Sequence, residues 1–380
     1  MIPIPERLKT LQPYLPGKPI EELAREKGLK KIVKLASNEN PLGPSPKAIE
    51  AIRNCLSNSH RYVEPTSPEL IAALARKFNK KTGQIICGHG TDALLGYILK
   101  TFTEQNEEVL TSQGTFIGIY VNTKKIGRKL SLAPLKNYAY DLDGILKRIR
   151  PETRVIYLAN PNNPTGTIFS REEFEQFMSK VPKEILVILD EAYAVYAASY
   201  PEYPDGMKYD YENLIVTRTF SKSYGLAGLR IGFAVAPEYL IREMYKVKLP
   251  FEPNYLAQKA ALASLEDGEF LQRSIQTNRK SMARLASGFE RLGIEYVPSF
   301  TNFYLLLFPS DRFAEDFFQE CLNLGLIVRP VRSFGIPEGI RINSGTEEET
   351  TFALEVVEKV HQKLSKQNGE TKRVSEVATK

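Results

Sequence analysis

The stretch Ile185-Leu186-Val187-Ile188-Leu189-Asp190 is a run of aliphatic residues that ends in a carboxylate. Shorter apolar runs at residues 155–158 and 214–216 lie before and after it, with helical patterns elsewhere along this part of the chain. Continuous apolar runs that alternate with helices are typical of a parallel sheet covered by helices on both faces. The sequence therefore predicts a three-layer α/β fold with a mostly parallel sheet in a large domain.

The length of the chain, 380 residues, exceeds the usual size of one domain, so we expect a large domain and a smaller one. Beyond about residue 255 the pattern changes to longer helices with short strands between them. The predicted parts are an N-terminal arm and helix that pack with the small domain (1–33), the large domain (34–250), a small α+β C-terminal domain (251–366) and a polar, disordered tail (367–380). Thr346, with Glu349 three residues on, predicts a capping box that opens the last helix.

The composition argues against several classes of protein. Lysine and arginine total 51 against 45 acidic residues, without a dense basic block, so no nucleic-acid partner is expected. The three cysteines and three histidines show neither disulfide nor metal-ligand spacing, so no metal is expected. We find no apolar run long enough for a membrane span and no apolar core of a signal peptide. These features predict a cytoplasmic protein without a membrane partner.

Lys222 follows the third apolar run and lies in the loop Ser221-Lys222-Ser223-Tyr224-Gly225. Because ligands bind beyond the carboxyl ends of strands in an open parallel sheet, Lys222 and Asp190 can converge in space. A buried lysine forms a Schiff base with an aldehyde, and a buried carboxylate holds a pyridine nitrogen protonated. The pair therefore indicates pyridoxal phosphate chemistry. A surface loop lysine and a helix N-cap aspartate are the alternative interpretations.

A second group of residues has the chemistry of a phosphate site. Gly90, Thr91 and Asp92 precede a helical pattern, and the free N–H groups at such a helix start attract anions. Ser221 and Arg230 lie on either side of the lysine and supply further donors. A purely structural turn remains the alternative interpretation of the glycine-containing segment.

Phe116 and Arg341 each allow two interpretations. Phe116 either packs in the core or stacks on a pyridine ring. Arg341 lies between apolar neighbours, which makes an anion site as plausible as a solvated arginine. Arg329 lies nearby in sequence, and surface charge is its default interpretation.

Three motifs, taken together and in this order, resemble those of the fold-type I pyridoxal-phosphate aminotransferases. They are Asn163-Pro164-Thr165-Gly166, Asp190-Glu191-Ala192-Tyr193, and the stretch from Ser221-Lys222 to Arg230-Ile231-Gly232. The resemblance extends over nearly the whole chain. Within that superfamily the chain most resembles the histidinol-phosphate aminotransferase family, through residues 13–19, 35–43 and 328–341.

The resemblance implies a role for each site residue. Lys222 binds the cofactor covalently and carries a proton between the substrate and the cofactor, and Asp190 meets the pyridine nitrogen. The other implied contacts with the cofactor are Asn163 and Tyr193 at its phenolic oxygen, Thr91, Ser221 and Arg230 around its phosphate, Tyr62 of the second subunit at the same phosphate, and Phe116 on the ring. Gly90 and Asp92, beside Thr91, are also expected to bind the cofactor. The residues expected at the substrate are Tyr14, Asn40, Arg329 and Arg341.

The same resemblance implies a homodimer with shared active sites, which uses a small-molecule amino donor and an oxo-acid acceptor. The expected reaction converts imidazole-acetol phosphate and glutamate into histidinol phosphate and 2-oxoglutarate. An aromatic amino-acid aminotransferase and a phosphothreonine decarboxylase share the cofactor residues and remain alternatives. A cofactor-binding regulator without turnover is a more remote one.

Overall fold

The computed structural model describes residues 2–9, 11 and 18–378. Its α-helices are α1 (Glu6–Lys9), α2 (Ile20–Lys27), α3 (Pro46–Cys55), α4 (Pro68–Phe78), α5 (Gly90–Phe102), α6 (Ile117–Lys125), α7 (Leu142–Leu146), α8 (Arg171–Lys180), α9 (Ala194–Ala197), α10 (Glu238–Tyr245), α11 (Tyr255–Leu265), α12 (Gly268–Leu292), α13 (Asp311–Asn323) and α14 (Glu347–Ala378). Its strands are β1 (Val33–Lys34), β2 (Ile85–Gly88), β3 (Glu108–Ser112), β4 (Lys129–Ala133), β5 (Leu135–Lys136), β6 (Ala139–Tyr140), β7 (Thr153–Ala159), β8 (Leu186–Asp190), β9 (Leu214–Thr219), β10 (Gly232–Val235), β11 (Glu295–Val297), β12 (Phe303–Leu307), β13 (Leu326–Ile327), β14 (Arg329–Pro330) and β15 (Gly339–Asn343).

Within the described residues, the large sheet has seven strands in the order β2-β10-β9-β8-β7-β3-β4. The strands from β9 to β4 are parallel, while β10 is antiparallel to both of its neighbours. The loop between β9 and β10 forms one short 3-10 helix, Ala227–Leu229, instead of the long helix that a parallel crossover uses. The predicted α/β class with a mostly parallel sheet is confirmed.

The central strands of the large sheet are buried on both faces, as their aliphatic sequences predict. Val155 and Ile156 on β7 and Val187 and Ile188 on β8 have no exposed surface. Burial stabilises the fold by roughly 1.5–3 kcal/mol for each such side chain. This packing fixes the carboxyl ends of neighbouring strands relative to one another.

The small domain is built on an antiparallel sheet in the order β11-β12-β15-β14. Helices α12, α13 and α14 pack with it around a second core. The start of α14 has the predicted capping box, because the Glu349 N–H donates to Thr346 Oγ1 at 3.2 Å and the Thr346 N–H donates to Glu349 Oε2 at 2.7 Å. Leu23 on α2 packs against Ala36, Leu322 and Ile327, next to this domain.

Two predicted domain limits differ from the packing in the structure. Helix α11, which the limit at residue 251 assigns to the small domain, packs in the large core through Ala257, Ala260 and Ala261. Leu35, which the limit at residue 34 assigns to the large domain, packs in the core of the small domain, next to the pairing of β1 with β13. The spacing of apolar residues identifies the buried face of a helix, but it does not say which core receives that face.

The C-terminal helix is longer than the sequence predicts. Helix α14 extends to Ala378, whereas a disordered tail is predicted from residue 367. Among the residues whose burial is described, Leu364 is the last one of this helix in the small-domain core. Extending a packed helix costs less than nucleating a new one, so a polar composition does not by itself end the helix where the packing ends. In the part of the chain that the structure describes, no helix is long and apolar enough to span a bilayer.

Candidate active site

The carboxyl ends of β7, β8 and β9 meet at one edge of the large sheet. Asp190, the last residue of β8, is aligned with Ala159 on β7 and with Thr217 on β9. A cavity of about 150 Å³, here called the first cavity, lies beyond these ends. Its lining includes these residues selected from the sequence: Thr91, Asp92, Phe116, Asn163, Asp190, Tyr193, Ser221, Lys222 and Arg230. The fold thus brings together polar groups that are far apart in the chain.

Asp190 places a buried carboxylate in the wall of the first cavity. Its Oδ2 accepts a hydrogen bond from the Tyr157 hydroxyl at 2.8 Å, and its Oδ1 accepts one from the Ala192 N–H at 3.2 Å. Burial raises the pKa of the Asp190 carboxyl, although these hydrogen bonds and the charge of Lys222 oppose the shift. A carboxylate in this position is stabilised further by a cation that binds directly beside it.

Lys222 is the half-buried amine of the site. Its Nζ donates to the Ser37 carbonyl at 3.2 Å and lies 5.9 Å from the centre of the Tyr193 ring. Burial lowers the pKa of Lys222 to about 8, with a further lowering by the charge of Arg341. Roughly a tenth of an amine with this pKa is neutral at pH 7. The neutral amine is nucleophilic, so the position suits attack on an aldehyde.

The first turn of α5 and the loop after Lys222 form an anion site, which consists of Gly90, Thr91, Ser221 and Arg230. Arg230 Nη1 lies 3.5 Å from Ser221 Oγ. Gly90 has a φ of +78°, and a Cβ at this position would lie 2.7 Å from Arg230 Nη2. The guanidinium therefore lies directly over the start of the helix, where free N–H groups already favour an anion. Asp92 lines the same cavity and accepts from Asn122 Nδ2 at 2.9 Å.

The Phe116 ring lines both the first cavity and a neighbouring one. Its position depends on Gly118, because a Cβ at residue 118 would lie 2.3 Å from Phe116 Cε1. Glycine at 118 thus allows the ring to lie against the start of α6. An aromatic face at this point can stack on a flat heterocycle.

A second cavity of about 110 Å³ adjoins the first. The two cavities share Phe116, Asn163, Tyr193 and Lys222 in their linings. Arg329 on β14 and Arg341 on β15 line the second cavity and are directly opposite each other in the sheet. Because like charges at opposed strand positions repel, an anion between these two side chains is favourable.

Arg341 is 5% exposed and lines the second cavity beside Asn163, which lines both cavities. Its Nη1 donates to Asn163 Oδ1 at 2.6 Å, and its Nη2 donates to the Ala36 carbonyl at 2.7 Å. The guanidinium carbon also lies 5.3 Å from the centre of the Phe303 ring. These contacts hold the guanidinium in one orientation.

Tyr193 presents a protonated hydroxyl to both cavities. Burial raises the pKa of Tyr193 to about 12, so the phenol keeps its proton at neutral pH. Its oxygen accepts a hydrogen bond from Asn38 Nδ2 at 2.7 Å, and its ring packs edge-on against Phe303 at 5.2 Å. Because the oxygen is the acceptor in the contact with Asn38, the Tyr193 proton is available to an acceptor in the cavity.

The family model described as aminotransferase class I and II matches residues 30–357. The chain belongs to this family. Histidinol-phosphate aminotransferases are among the proteins whose sequences are similar to this chain. The protein of that name from Caldicellulosiruptor saccharolyticus is 41% identical, over 93% of this chain and 99% of its own. The one from Nitrosococcus oceani is 42% identical, over 92% of this chain and 94% of its own.

Solved structures agree with this aminotransferase in fold. A histidinol-phosphate aminotransferase from Sinorhizobium meliloti, in complex with pyridoxal-5'-phosphate, has a TM-score of 0.86 and 28% identity, covering 95% of this chain and 98% of its own. An aspartate aminotransferase from Thermus thermophilus, with maleate, has a TM-score of 0.82 at 21% identity, covering 95% of this chain and 100% of its own. The second similarity concerns the fold alone.

Asn40, which is predicted to contact the substrate, bonds to other parts of the chain in the structure of this aminotransferase. It lines neither of the two cavities. Its Nδ2 donates to the Ser223 carbonyl and to Ser274 Oγ, both at 2.9 Å, and its Oδ1 accepts from the Leu42 N–H at 3.0 Å. The amide therefore joins the loop that carries Lys222 to α12. Its predicted role as a substrate contact stays a prediction.

Tyr62, a tyrosine of the predicted site, lies outside the two cavities described here. Tyr62 is 85% exposed, and its ring stacks on Phe251 at a centroid distance of 4.2 Å. Its predicted contact with the phosphate of a second subunit stays a prediction. Tyr14 lies outside the described residues.

Sequence reasoning did not select Tyr157 or Asn38, although both touch the site. Tyr157 lies within the apolar run of β7, and a run buried on both faces does not reveal which face meets a cavity. The one signal was a hydroxyl among aliphatic residues. Asn38 has a φ of +55°, a conformation that non-glycine residues rarely adopt and that is common at functional sites. This backbone conformation is visible only in the structure and not in the sequence.

Proposed function

We propose that this aminotransferase interconverts L-histidinol phosphate plus 2-oxoglutarate and imidazole-acetol phosphate plus L-glutamate, a step of histidine biosynthesis, with pyridoxal 5'-phosphate as cofactor. The observation that carries the proposal is the junction of the two cavities at Lys222. Asp190 and the anion site lie on one side of it, and Arg329 and Arg341 lie on the other. The names of the relatives, at about 40% identity, support the same reaction.

The residues of the first cavity fit pyridoxal phosphate. The anion site can bind a phosphate, and Phe116 can stack on the ring. Asp190 is a buried carboxylate whose pKa is raised by burial, and a pyridinium beside it would lower that pKa. Asn163 and Tyr193 line the same cavity and would hold the phenolic oxygen. When bound, this cofactor supplies an electron sink for charge that develops at the substrate α-carbon.

Lys222 acts first as nucleophile toward the aldehyde and then as proton carrier. Its lowered pKa leaves part of the amine neutral at pH 7, so it can take a proton from the substrate α-carbon. The ammonium form would hold that proton at Nζ and could return it on the cofactor side. Tyr193 would donate a hydrogen bond to the phenolic oxygen, because Asn38 already donates to the tyrosine oxygen. Arg341 holds Asn163 in place for the same contact.

The second cavity binds the anionic end of each substrate in turn. A phosphate carries a charge near −2 and three acceptor oxygens, whereas a carboxylate carries one negative charge. Two arginines that face each other across β14 and β15 supply the donors that a phosphate needs. We therefore place the phosphate of histidinol phosphate, and the carboxylate of glutamate, between Arg329 and Arg341.

The arginine pair leads to a prediction about substrate choice. Arg341→Gln is expected to raise the KM for histidinol phosphate and for glutamate by roughly 10- to 100-fold, because charge-assisted hydrogen bonds contribute about 1.5–3 kcal/mol each. Arg329→Gln is expected to affect histidinol phosphate about tenfold more than glutamate, because the carboxylate needs fewer donors. Steady-state kinetics of both variants with both substrates measures the two ratios.

Arg332→Gln is the matched control for these two variants. Arg332 follows β14 closely but is paired with Asp311 at 2.5 Å on the surface. Its loss is expected to change either KM by less than about twofold, because exposed ion pairs contribute little. An equal effect of Arg329→Gln on glutamate and histidinol phosphate would show that Arg329 has no phosphate-specific role.

We further propose that the active unit is a homodimer in which Tyr62 completes the partner's anion site. The exposure of Tyr62, 85%, and its place outside both cavities of its own chain support a contact with another subunit. Mixing Lys222→Ala with Tyr62→Ala subunits is expected to recover about a quarter of the parent activity. Random exchange within a two-fold dimer makes half of the dimers mixed, and each mixed dimer has one intact site.

A second mixture controls this subunit exchange. Lys222 and Asp190 lie in the same cavity of one chain, so a mixed dimer of Lys222→Ala and Asp190→Ala has a defect in each site. This mixture is expected to stay inactive. Absence of recovery in the Tyr62 mixture, with exchange verified by mass spectrometry of tagged subunits, would argue against a shared site.

The proposed reaction is tested by a donor screen. The purified protein is loaded with pyridoxal phosphate and given 2-oxoglutarate with histidinol phosphate, phenylalanine, tyrosine or phosphothreonine, and glutamate and carbon dioxide are measured. We expect kcat/KM for histidinol phosphate to exceed the other values by about 100-fold. Preference for phenylalanine or tyrosine would identify an aromatic aminotransferase. Carbon dioxide from phosphothreonine would identify a decarboxylase, and no turnover would identify a regulator.

The proposed location is the cytoplasm. Cys55, Cys87 and Cys321 are buried and not joined in disulfides. Unpaired cysteines are typical of proteins that work in a reducing compartment, which supports this location.

A further inference from the structure

Tyr157 lies in the middle of β7, where it is fully buried among aliphatic residues. In the parallel pairing of β7 with β8, Ala159 is aligned with Asp190, and Tyr157 precedes Ala159 by two residues on the same face of the sheet. Two residues of a strand span about 6.6 Å, which is close to the length of a tyrosine side chain. The ring therefore extends along the face of the sheet, and its hydroxyl reaches Asp190 Oδ2 at 2.8 Å.

The direction of this hydrogen bond is fixed by the two groups. Burial raises the pKa of Tyr157 well above its ordinary value, so the hydroxyl keeps its proton and donates it. Asp190 accepts the bond as a carboxylate, and a donor to the charged form favours that form. The Tyr157 hydroxyl thus opposes the effect of burial on Asp190. Other titratable side chains that act on this carboxylate or are affected by it are Lys222, Tyr193 and Tyr140.

We propose that Tyr157 is a positioning residue for the cofactor: its hydroxyl keeps Asp190 ionised and fixes the carboxylate in the cavity. The inference rests on the proposed function, because it assigns Asp190 to the ring nitrogen of pyridoxal phosphate. Tyr157 is itself part of the lining of the first cavity. The Thr111 hydroxyl donates to the Tyr157 carbonyl at 2.8 Å, which adds to the strand pairing on both sides of β7.

The test compares two ligands on two proteins. Tyr157→Phe removes the donor and keeps the ring, and the ligands are pyridoxal phosphate and its analogue with carbon in place of the ring nitrogen. We expect Tyr157→Phe to bind pyridoxal phosphate about tenfold more weakly, because an ionised Asp190 is harder to maintain. Binding of the carbon analogue is expected to change by less than about twofold, because that ligand gains nothing from a carboxylate. Equilibrium dialysis measures all four dissociation constants.

A spectroscopic readout accompanies the binding measurement. The visible absorbance of the loaded protein is titrated with pH, and Tyr157→Phe is expected to move its midpoint upward by about one unit, because less positive charge stays on the ring. Tyr140→Phe is the matched control. Tyr140 is buried and donates to Thr115 Oγ1 at 2.7 Å, but it makes no hydrogen bond to Asp190. This variant is expected to leave the midpoint and the ligand ratio unchanged.

The outcomes separate this inference from the proposed function. Equal weakening of both ligands by Tyr157→Phe, with an unchanged midpoint, would show that Tyr157 has only a structural role. Failure of the parent protein to bind pyridoxal phosphate would instead overturn the proposed function. If Tyr157→Phe does not fold, Tyr157→Met also removes the donor, fills the space with a flexible side chain and is subject to the same two criteria.

Discussion

Lys222→Ala is expected to lower kcat by about 10⁴-fold or more while the protein stays folded and still binds pyridoxal phosphate without a covalent bond. The rate falls because one side chain supplies both the nucleophile and the proton carrier. Binding persists because Asp190 and the anion site do not depend on the lysine. Single-turnover kinetics with histidinol phosphate measures the rate, and equilibrium dialysis measures the binding.

Lys77→Ala is the matched control for Lys222→Ala. Burial also lowers the pKa of Lys77, but this residue lies on α4 and lines neither cavity. The variant is expected to keep the parent rate. That result would show that a lowered pKa alone does not make a lysine essential for catalysis. A Lys222→Ala enzyme with a rate near that of the parent would exclude the proposed mechanism.

Asp190→Ala is expected to lower kcat by about 10³-fold, with a smaller loss of cofactor affinity. A charge placed where the transition state develops its own charge contributes more to rate than to ground-state binding. Steady-state kinetics and dialysis separate the two effects. A rate within about tenfold of the parent, or ~1.4 kcal/mol of barrier, would mean that Asp190 does not face the ring.

The cofactor-free forms of the parent protein and of Asp190→Ala provide a control that does not depend on turnover. Burial raises the pKa of Asp190 in the folded protein above its unfolded value. Its contribution to stability is therefore complete at pH values below the unfolded pKa and is lost as the pH rises through the folded pKa. The Tm of Asp190→Ala relative to the parent is thus expected to increase between pH 4 and pH 8. A difference in Tm that is independent of pH would argue against a buried, titrating Asp190.

The strands and the convergence of their ends could be predicted because both follow from local patterns. Aliphatic runs such as residues 185–189 have few alternatives to a buried strand, and parallel strands place their carboxyl ends at one edge. Asp190, Lys222 and Arg230 therefore fell into one cavity, as predicted. The position of Arg341 opposite Arg329 also needed the pairing of β14 with β15, which no local pattern contains.

The features of the site and of the fold that could not be predicted from the sequence depend on tertiary contacts. Asn40 has the polar amide of a substrate contact, but its partners Ser223 and Ser274 lie more than 180 residues away in sequence. The hydrogen bond from Tyr157 to Asp190 depends on the register of β7 against β8, which a uniform apolar run leaves open. The place of helix α11 in the large core likewise depends on tertiary contacts, because its small buried residues do not themselves indicate a domain.

Borohydride reduction of the pyridoxal-phosphate-loaded protein, followed by peptide mapping, tests most directly whether the two cavities form an aminotransferase site centred on one lysine. The reagent fixes the cofactor permanently to the amine that binds it. We predict a single labelled peptide that contains Lys222 and no label in the Lys222→Ala protein. A label on another lysine of the parent, or no label on a protein that binds the cofactor, would contradict the assignment of Lys222 and with it the proposed mechanism.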